Sequence, residues 1–160
     1  MKNPTNIKIF GVSIIELKQI QDSRGSIMHM LRADEPDFTH FGECYFSEIY
    51  PGAVKAWKRH IKQTQIFAVP VGRVILVIFD NRQFSKTIGK IIEVTLGRPD
   101  AFNRVTVPPG VWYGFKCISK DIALISNCTD IPHIQSECQT LMFNDSLIPY
   151  NWITEEIIIK

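Results

Sequence analysis

The stretch GAVKAWKRHIKQTQIFAVPVGRVILVIFDNR, residues 52–82, decides the fold. Its second half holds two apolar runs. TQIFAVP (64–70) ends at a Val71-Gly72 turn, and RVILVIFD (73–80) is closed by Asn81. Runs this short, rich in β-branched and aromatic residues and bounded by turn residues, read as strands. The first half crowds Lys55, Lys58, Arg59, His60 and Lys62 onto what also reads as a strand. Such a strand is either a solvated edge or the lining of a pocket that holds an anion. In a strand, residues two apart share a face. Lys58, His60 and Lys62 are therefore expected on one face, and Trp57, Arg59 and Ile61 on the other, unless a bulge intervenes. Lys62 reads as a solvated loop charge, while Lys58 and His60 read as pocket residues.

Outward from this stretch the same pattern recurs. ECYFSEIY (43–50) alternates and ends at Pro51-Gly52, so one of Tyr45 and Phe46 points inward. KIIEVTL (90–96) ends at Gly97, RVTVPPG (104–110) ends in Pro-Pro-Gly, and DIALISN (121–127) follows Ser119-Lys120. Strands at this spacing predict an all-β sandwich or barrel. SIIELKQI (13–20) is the best helix candidate, with an irregular lead-in segment as the alternative. WITEEIIIK (152–160) reads as a short helix or a last strand, and its three isoleucines favour a strand or packing against a partner chain. With no repeat, linker or low-complexity tract, residues 1–160 are expected to form a single domain.

Composition narrows the class. The chain has 160 residues, 45% hydrophobic and 21% charged, with a net charge of +2. That charge is too small for bulk nucleic-acid binding. No apolar run is long enough for a transmembrane helix, and the N-terminus lacks the pattern of a signal peptide. A cytoplasmic protein with no membrane and no nucleic-acid partner is expected. Cys44, Cys117, Cys128 and Cys138 show no Cys-x-x-Cys spacing and read as free thiols. His29, His40 and His133 read as surface residues. Asp80, Arg82, Ser85 and Thr87 read as hairpin-fixing, and Trp112 and Trp152 as core rather than base-stacking walls.

Five pieces in order carry a resemblance: DSRGS (22–26), GAVKAWK (52–58), VGRVILVIFDNRQFSKTIG (71–89), VPPGVWYGF (107–115) and FNDSLIPYNW (143–152). Together they resemble the dTDP-4-keto-6-deoxyglucose 3,5-epimerase (dTDP-4-dehydrorhamnose 3,5-epimerase) family. The resemblance implies a cupin-type jelly-roll barrel, a homodimer, and a nucleotide-sugar site inside the barrel with no metal and no cofactor. A metal-binding cupin would offer His-x-His, a Glu and a later His. Here His60 stands alone and Tyr113 occupies the later position, too few ligands for a divalent ion.

The family removes a proton beside a ketone and returns it on the other face. That chemistry needs a base, an acid opposite, and a cation or donor for the enolate. The resemblance assigns Arg24 and Lys55 to the nucleotide phosphates, Arg24 from the partner subunit. It places Asp145 as the carboxylate that holds the base. The family's histidine position holds Lys58, with His60 two residues on, so the base is Lys58, His60 or neither. Gln65 stands for a family lysine in the substrate site, Tyr113 for a family histidine, and Ile131 near an expected tyrosine. Three function readings follow: the first is an epimerase or isomerase of a dTDP-linked 4-keto-6-deoxy hexose in surface polysaccharide or deoxysugar synthesis, and the second is a catalytically decayed sugar-nucleotide-binding protein. A metal-free cupin that binds a small molecule of another pathway is the third.

Overall fold

The computed structural model describes residues 8–153, and these form an antiparallel β architecture. The strands are β1 (Ser13–Glu16), β2 (Gln19–Asp22), β3 (Gly25–Met28), β4 (Glu43–Ile49), β5 (Val54–His60) and β6 (Gln65–Val71). They continue with β7 (Arg73–Phe79), β8 (Ile91–Gly97), β9 (Asn103–Val107), β10 (Trp112–Cys117), β11 (Ala123–Thr129) and β12 (Cys138–Thr140). One five-stranded sheet runs β1-β9-β6-β11-β4, and the second runs β12-β5-β10-β7-β8. The two face each other as a jelly roll, and β2 and β3 form a separate hairpin.

Inward-pointing residues from both sheets make the main core. Phe67, Val69, Val105, Val107 and Ile125 of the first sheet meet Val74, Leu76, Ile78 and Phe115 of the second. The alternation of inward and outward residues follows from the pleat. A second cluster lies on the outer face of the second sheet. Trp57, Val77, Phe79 and Trp112 are covered there by Ile148 and Trp152 of the C-terminal segment. Trp112 and Trp152 are thus core residues. The Trp57 ring lies 4.9 Å from that of Trp152, and its indole N–H donates to the Phe143 carbonyl at 3.1 Å. This cover anchors β5 from behind and carries the chain past Thr140 and Leu141.

The turn between β6 and β7 needs its glycine. Gly72 has φ +71°, and a Cβ there would lie 2.6 Å from the Ile122 carbonyl oxygen. Beyond β7, the fully buried Asp80 accepts from Arg82 Nε at 2.8 Å and Thr87 Oγ1 at 2.7 Å. It holds the 80–90 connection, as its composition suggested.

The segment 13–20 is not helical. Ser13–Glu16 pairs with β9, from Ser13 opposite Thr106 to Glu16 opposite Asn103. Gln19–Asp22 pairs with β3. The isoleucines that suggest a helix stripe are β-branched, and the open edge of β9 gives their backbone a ladder. Only Leu17 of this segment is buried, against Ala68 and Phe102. The expectation for the apolar tail falls on residues 154–160, outside the described residues.

Candidate active site

A cavity of about 390 Å³ opens between the two sheets. From the first sheet Tyr45, Ser47, Phe67, Ile125 and Asn127 line it. The second contributes Lys55, Lys58, Tyr113 and Phe115, with Thr140 and Leu141 at one end. Tyr45 is the inward partner of the pair noted in β4, while Phe46 points outward and is exposed.

Strict alternation along β5 would not place Lys55 and Lys58 on the same wall. The pairing of β5 with β10 runs from Lys58 opposite Tyr113 to Lys55 opposite Phe115. Gly114 alone therefore faces both Ala56 and Trp57. This bulge shifts the phase of the strand, so two lysines three residues apart both line the cavity. Gly114 permits it, since a Cβ there would lie 2.5 Å from Ala56 Cβ and 2.9 Å from Trp152. Arg59 points the other way, with its guanidinium 4.5 Å from the centroid of the Trp112 ring. Lys62 lies beyond the strand and is exposed.

His60 ends β5 and is buried. Its Nδ1 lies 2.8 Å from Glu137 Oε2, and its Nε2 lies 3.1 Å from the Tyr113 hydroxyl. Both ring nitrogens are occupied. The strand register explains the first contact, because β12 pairs with β5 with Cys138 opposite His60. Glu137 ends a single 3₁₀ turn, Gln135–Glu137, just before that pair. Its other oxygen accepts from the backbone N–H of Gln63 at 2.7 Å and of Lys62 at 3.2 Å. Burial pushes the Glu137 carboxyl up, but the hydrogen bonds from His60 and these two N–H groups outweigh it and hold it below the ordinary range. A carboxylate accepting from Nδ1–H leaves the Nε2 lone pair turned toward Tyr113.

The network continues behind the cavity wall. Tyr113 O–H lies 3.4 Å from Gln65 Oε1, which also accepts from Asn127 Nδ2 at 2.8 Å. Asn127 Nδ2 donates as well to the Tyr45 hydroxyl at 2.8 Å. Burial pushes the Tyr113 phenol well above its ordinary range, and nearby Tyr45, Cys138 and Glu137 add to it. Tyr113 is therefore a neutral phenol at rest.

The structure thus brings together His60, Tyr113 and Gln65 in one network and Lys55, Lys58 and Tyr113 on one cavity. Gln65 sits behind the wall, buried and bonded through its side chain to Gln63, Asn127 and Tyr113, rather than in the cavity. Lys55 Nζ donates to Ser47 Oγ at 3.0 Å and to the Glu48 carbonyl. Arg24 is exposed at the turn of the β2–β3 hairpin and paired with Asp22 at 2.7 Å. Asp145 is not the carboxylate of the buried histidine. Its Oδ1 accepts from the Leu147 N–H at 2.9 Å and caps its own turn in the outer segment. Glu137 fills the place at His60. In HIQSECQT (133–140) it is one acid in a polar segment without periodicity, and only the pairing of β12 with β5 reveals it. Among the described residues, no three of His, Cys, Asp and Glu cluster as a metal site would require.

Known proteins share this architecture. A dTDP sugar isomerase from Desulfovibrio desulfuricans G20 superposes with a TM-score of 0.90 at 47% identity, covering 92% of this chain and 94% of that one. A spore coat polysaccharide biosynthesis protein of Bacillus subtilis is 30% identical over 149 residues, 92% of this chain and 98% of that protein. A probable low-salt glycan biosynthesis epimerase of Haloferax volcanii is 32% identical over 121 residues, 74% of this chain and 77% of that protein. The family model described as dTDP-4-dehydrorhamnose 3,5-epimerase matches residues 6–160. With the jelly roll, the cavity between its sheets and this match across nearly the whole sequence, the chain belongs to the dTDP-4-dehydrorhamnose 3,5-epimerase family, whose members are dTDP-sugar epimerases of deoxysugar and polysaccharide biosynthesis.

Proposed function

We propose that this chain epimerises a dTDP-linked 4-keto-6-deoxy hexose, with Tyr113 as the group that meets the sugar and His60, held by Glu137, as the base behind it. The single observation that carries this reading is the unbroken Glu137–His60–Tyr113 row ending at the cavity. A phenol with a raised pKa cannot rest as a phenolate, so the transfer is concerted. Tyr113 Oη takes the proton from the carbon beside the ketone while its own proton passes to His60 Nε2. The positive charge then rests on the imidazolium beside the Glu137 carboxylate, where it is most stabilised. Lys58, exposed on the same wall, supplies positive charge to the enolate or to the diphosphate. A decayed site would not be expected to keep a buried row whose members are all hydrogen-bonded.

The reading extends to assembly. In the β2–β3 hairpin Ile20 stands opposite Ile27, and both are exposed. A two-stranded hairpin is marginal alone, so these residues are read as covered by a second copy in a homodimer. Arg24 at the hairpin turn then reaches the partner's nucleotide diphosphate, with Lys55 on the other side. The protein works in the cytoplasm, where nucleotide sugars are made.

The test incubates the protein with dTDP-4-keto-6-deoxyglucose, traps the ketones with borohydride and identifies the hexoses released. An inverted 6-deoxyhexose, absent without protein, is the expected result. Only the two carbon-4 alcohols of the uninverted sugar, with carbons 3 and 5 unchanged, would refute the activity. Light scattering at micromolar concentration that gives the 18.3 kDa of one chain would refute the dimer.

A further inference from the structure

Inversion at carbon needs a proton delivered to the face opposite the one from which the first was removed, and a positioned acid there speeds that delivery. Tyr113, on the second sheet, reaches the cavity with His60 behind it. The first sheet contributes a second phenol to the same cavity, Tyr45 on β4. The hydrogen bonds of these two phenols differ. The Tyr113 proton is committed, to His60 Nε2 or to Gln65 Oε1. Tyr45 oxygen only accepts, from Asn127 Nδ2 at 2.8 Å. The orientation of that amide is fixed, since Asn127 Oδ1 accepts from the Ile66 backbone N–H at 3.2 Å and its nitrogen must turn to Tyr45. Among the described residues the Tyr45 proton has no acceptor, and it is free for a ligand in the cavity.

Resting on the epimerase reading, we propose that Tyr45 is the proton donor to the face of the sugar opposite Tyr113. The enolate carbon takes the Tyr45 hydroxyl proton, a C–H bond forms, and the O–H bond breaks to leave a phenolate. Asn127 N–H already points at that oxygen and stabilises the charge as it appears. Water at the cavity mouth reprotonates the phenolate, since Tyr45 is 41% exposed, and His60 returns its proton to solvent through Tyr113. Burial raises the Tyr45 pKa, partly offset by the Asn127 hydrogen bond, so the donor is loaded at neutral pH. Ser47 and Ile125, its other neighbours on this wall, offer no comparable acid, and Lys55 is engaged with Ser47 and Glu48.

The test compares wild type and Tyr45→Phe with dTDP-4-keto-6-deoxyglucose in D₂O. Proton NMR follows deuterium wash-in and inversion separately. The expected result for Tyr45→Phe is wash-in within about threefold of wild type, with inverted product lowered by about 100-fold or more, the range for a lost general acid. Inversion near the wild-type rate overturns the proposal, and so does loss of wash-in and inversion together while dTDP binding is unchanged. Should Tyr45→Phe fold poorly, 3-fluorotyrosine at position 45 replaces it. Its more acidic phenol should move the alkaline limb of inversion to lower pH and leave that of wash-in in place, and unmoved limbs overturn the assignment. A wild type that shows no wash-in at all refutes the epimerase reading, a failure distinct from these.

Discussion

His60 and Glu137 stand 77 residues apart in the chain and meet at 2.8 Å inside the protein, with the second ring nitrogen of His60 on Tyr113. The carboxylate both orients the imidazole and stabilises the imidazolium that proton removal would create. Glu137→Gln should keep the geometry but lose the charge, and it should lower turnover about 100-fold. Stability gives a second readout. A carboxyl whose pKa is depressed on folding contributes stability above its unfolded value and loses it as pH falls through its folded value. The advantage of wild type over Glu137→Gln in urea melts should therefore be present at pH 7 and shrink through the acid range. An advantage that grows in acid would contradict the pairing.

Asp145 offers the contrasting case. It accepts one backbone N–H in its own turn, at Leu147, and is not the partner of His60. Asp145→Ala should cost about 1 kcal/mol of stability, the scale of one such hydrogen bond, and leave turnover within about twofold. A loss like that of Glu137→Gln would return Asp145 to the site.

The bulge in β5 makes a prediction of its own. Gly114→Ala drives a methyl into Ala56 and Trp152. Overpacking of this kind costs about 1–3 kcal/mol, and relief must come from moving β5, which carries Lys55 and Lys58. Thermal melting should show the lost stability, and calorimetry should show weaker dTDP binding. Binding unchanged at reduced stability would mean that the bulge does not set the lysines.

Much of this was legible in the sequence where local chemistry decides. The strands of residues 43–107 and 123–129 announce themselves by β-branched runs between Gly and Pro turns, and the Asp80 connection by its hydroxyls and arginine, whereas Trp112–Cys117, broken by Gly114, does not read as a strand. The cationic strand also pointed to a cavity, which Lys58 lines as expected, whereas His60 is not in its lining but buried behind Tyr113. Three features were not legible because they depend on pairing between distant segments. The isoleucines of 13–20 read as a helix until β9 offers its edge. Lys55 and Lys58 share a wall only because Gly114 lets β5 bulge. Glu137 reaches His60 only because β12 returns to β5, and Asp145, in a motif that resembles the family's, lies in its own turn rather than at His60.

The most direct test of the account is deuterium wash-in at carbons 3 and 5 of dTDP-4-keto-6-deoxyglucose, followed by proton NMR in D₂O for wild type, His60→Asn and Lys58→Met. Exchange well above buffer is expected with wild type, its loss in His60→Asn, and its retention in Lys58→Met, though at a reduced rate because a cation is gone from the cavity. Exchange that survives in His60→Asn and vanishes in Lys58→Met would make the lysine the base. It would contradict the Glu137–His60–Tyr113 row as the proton path.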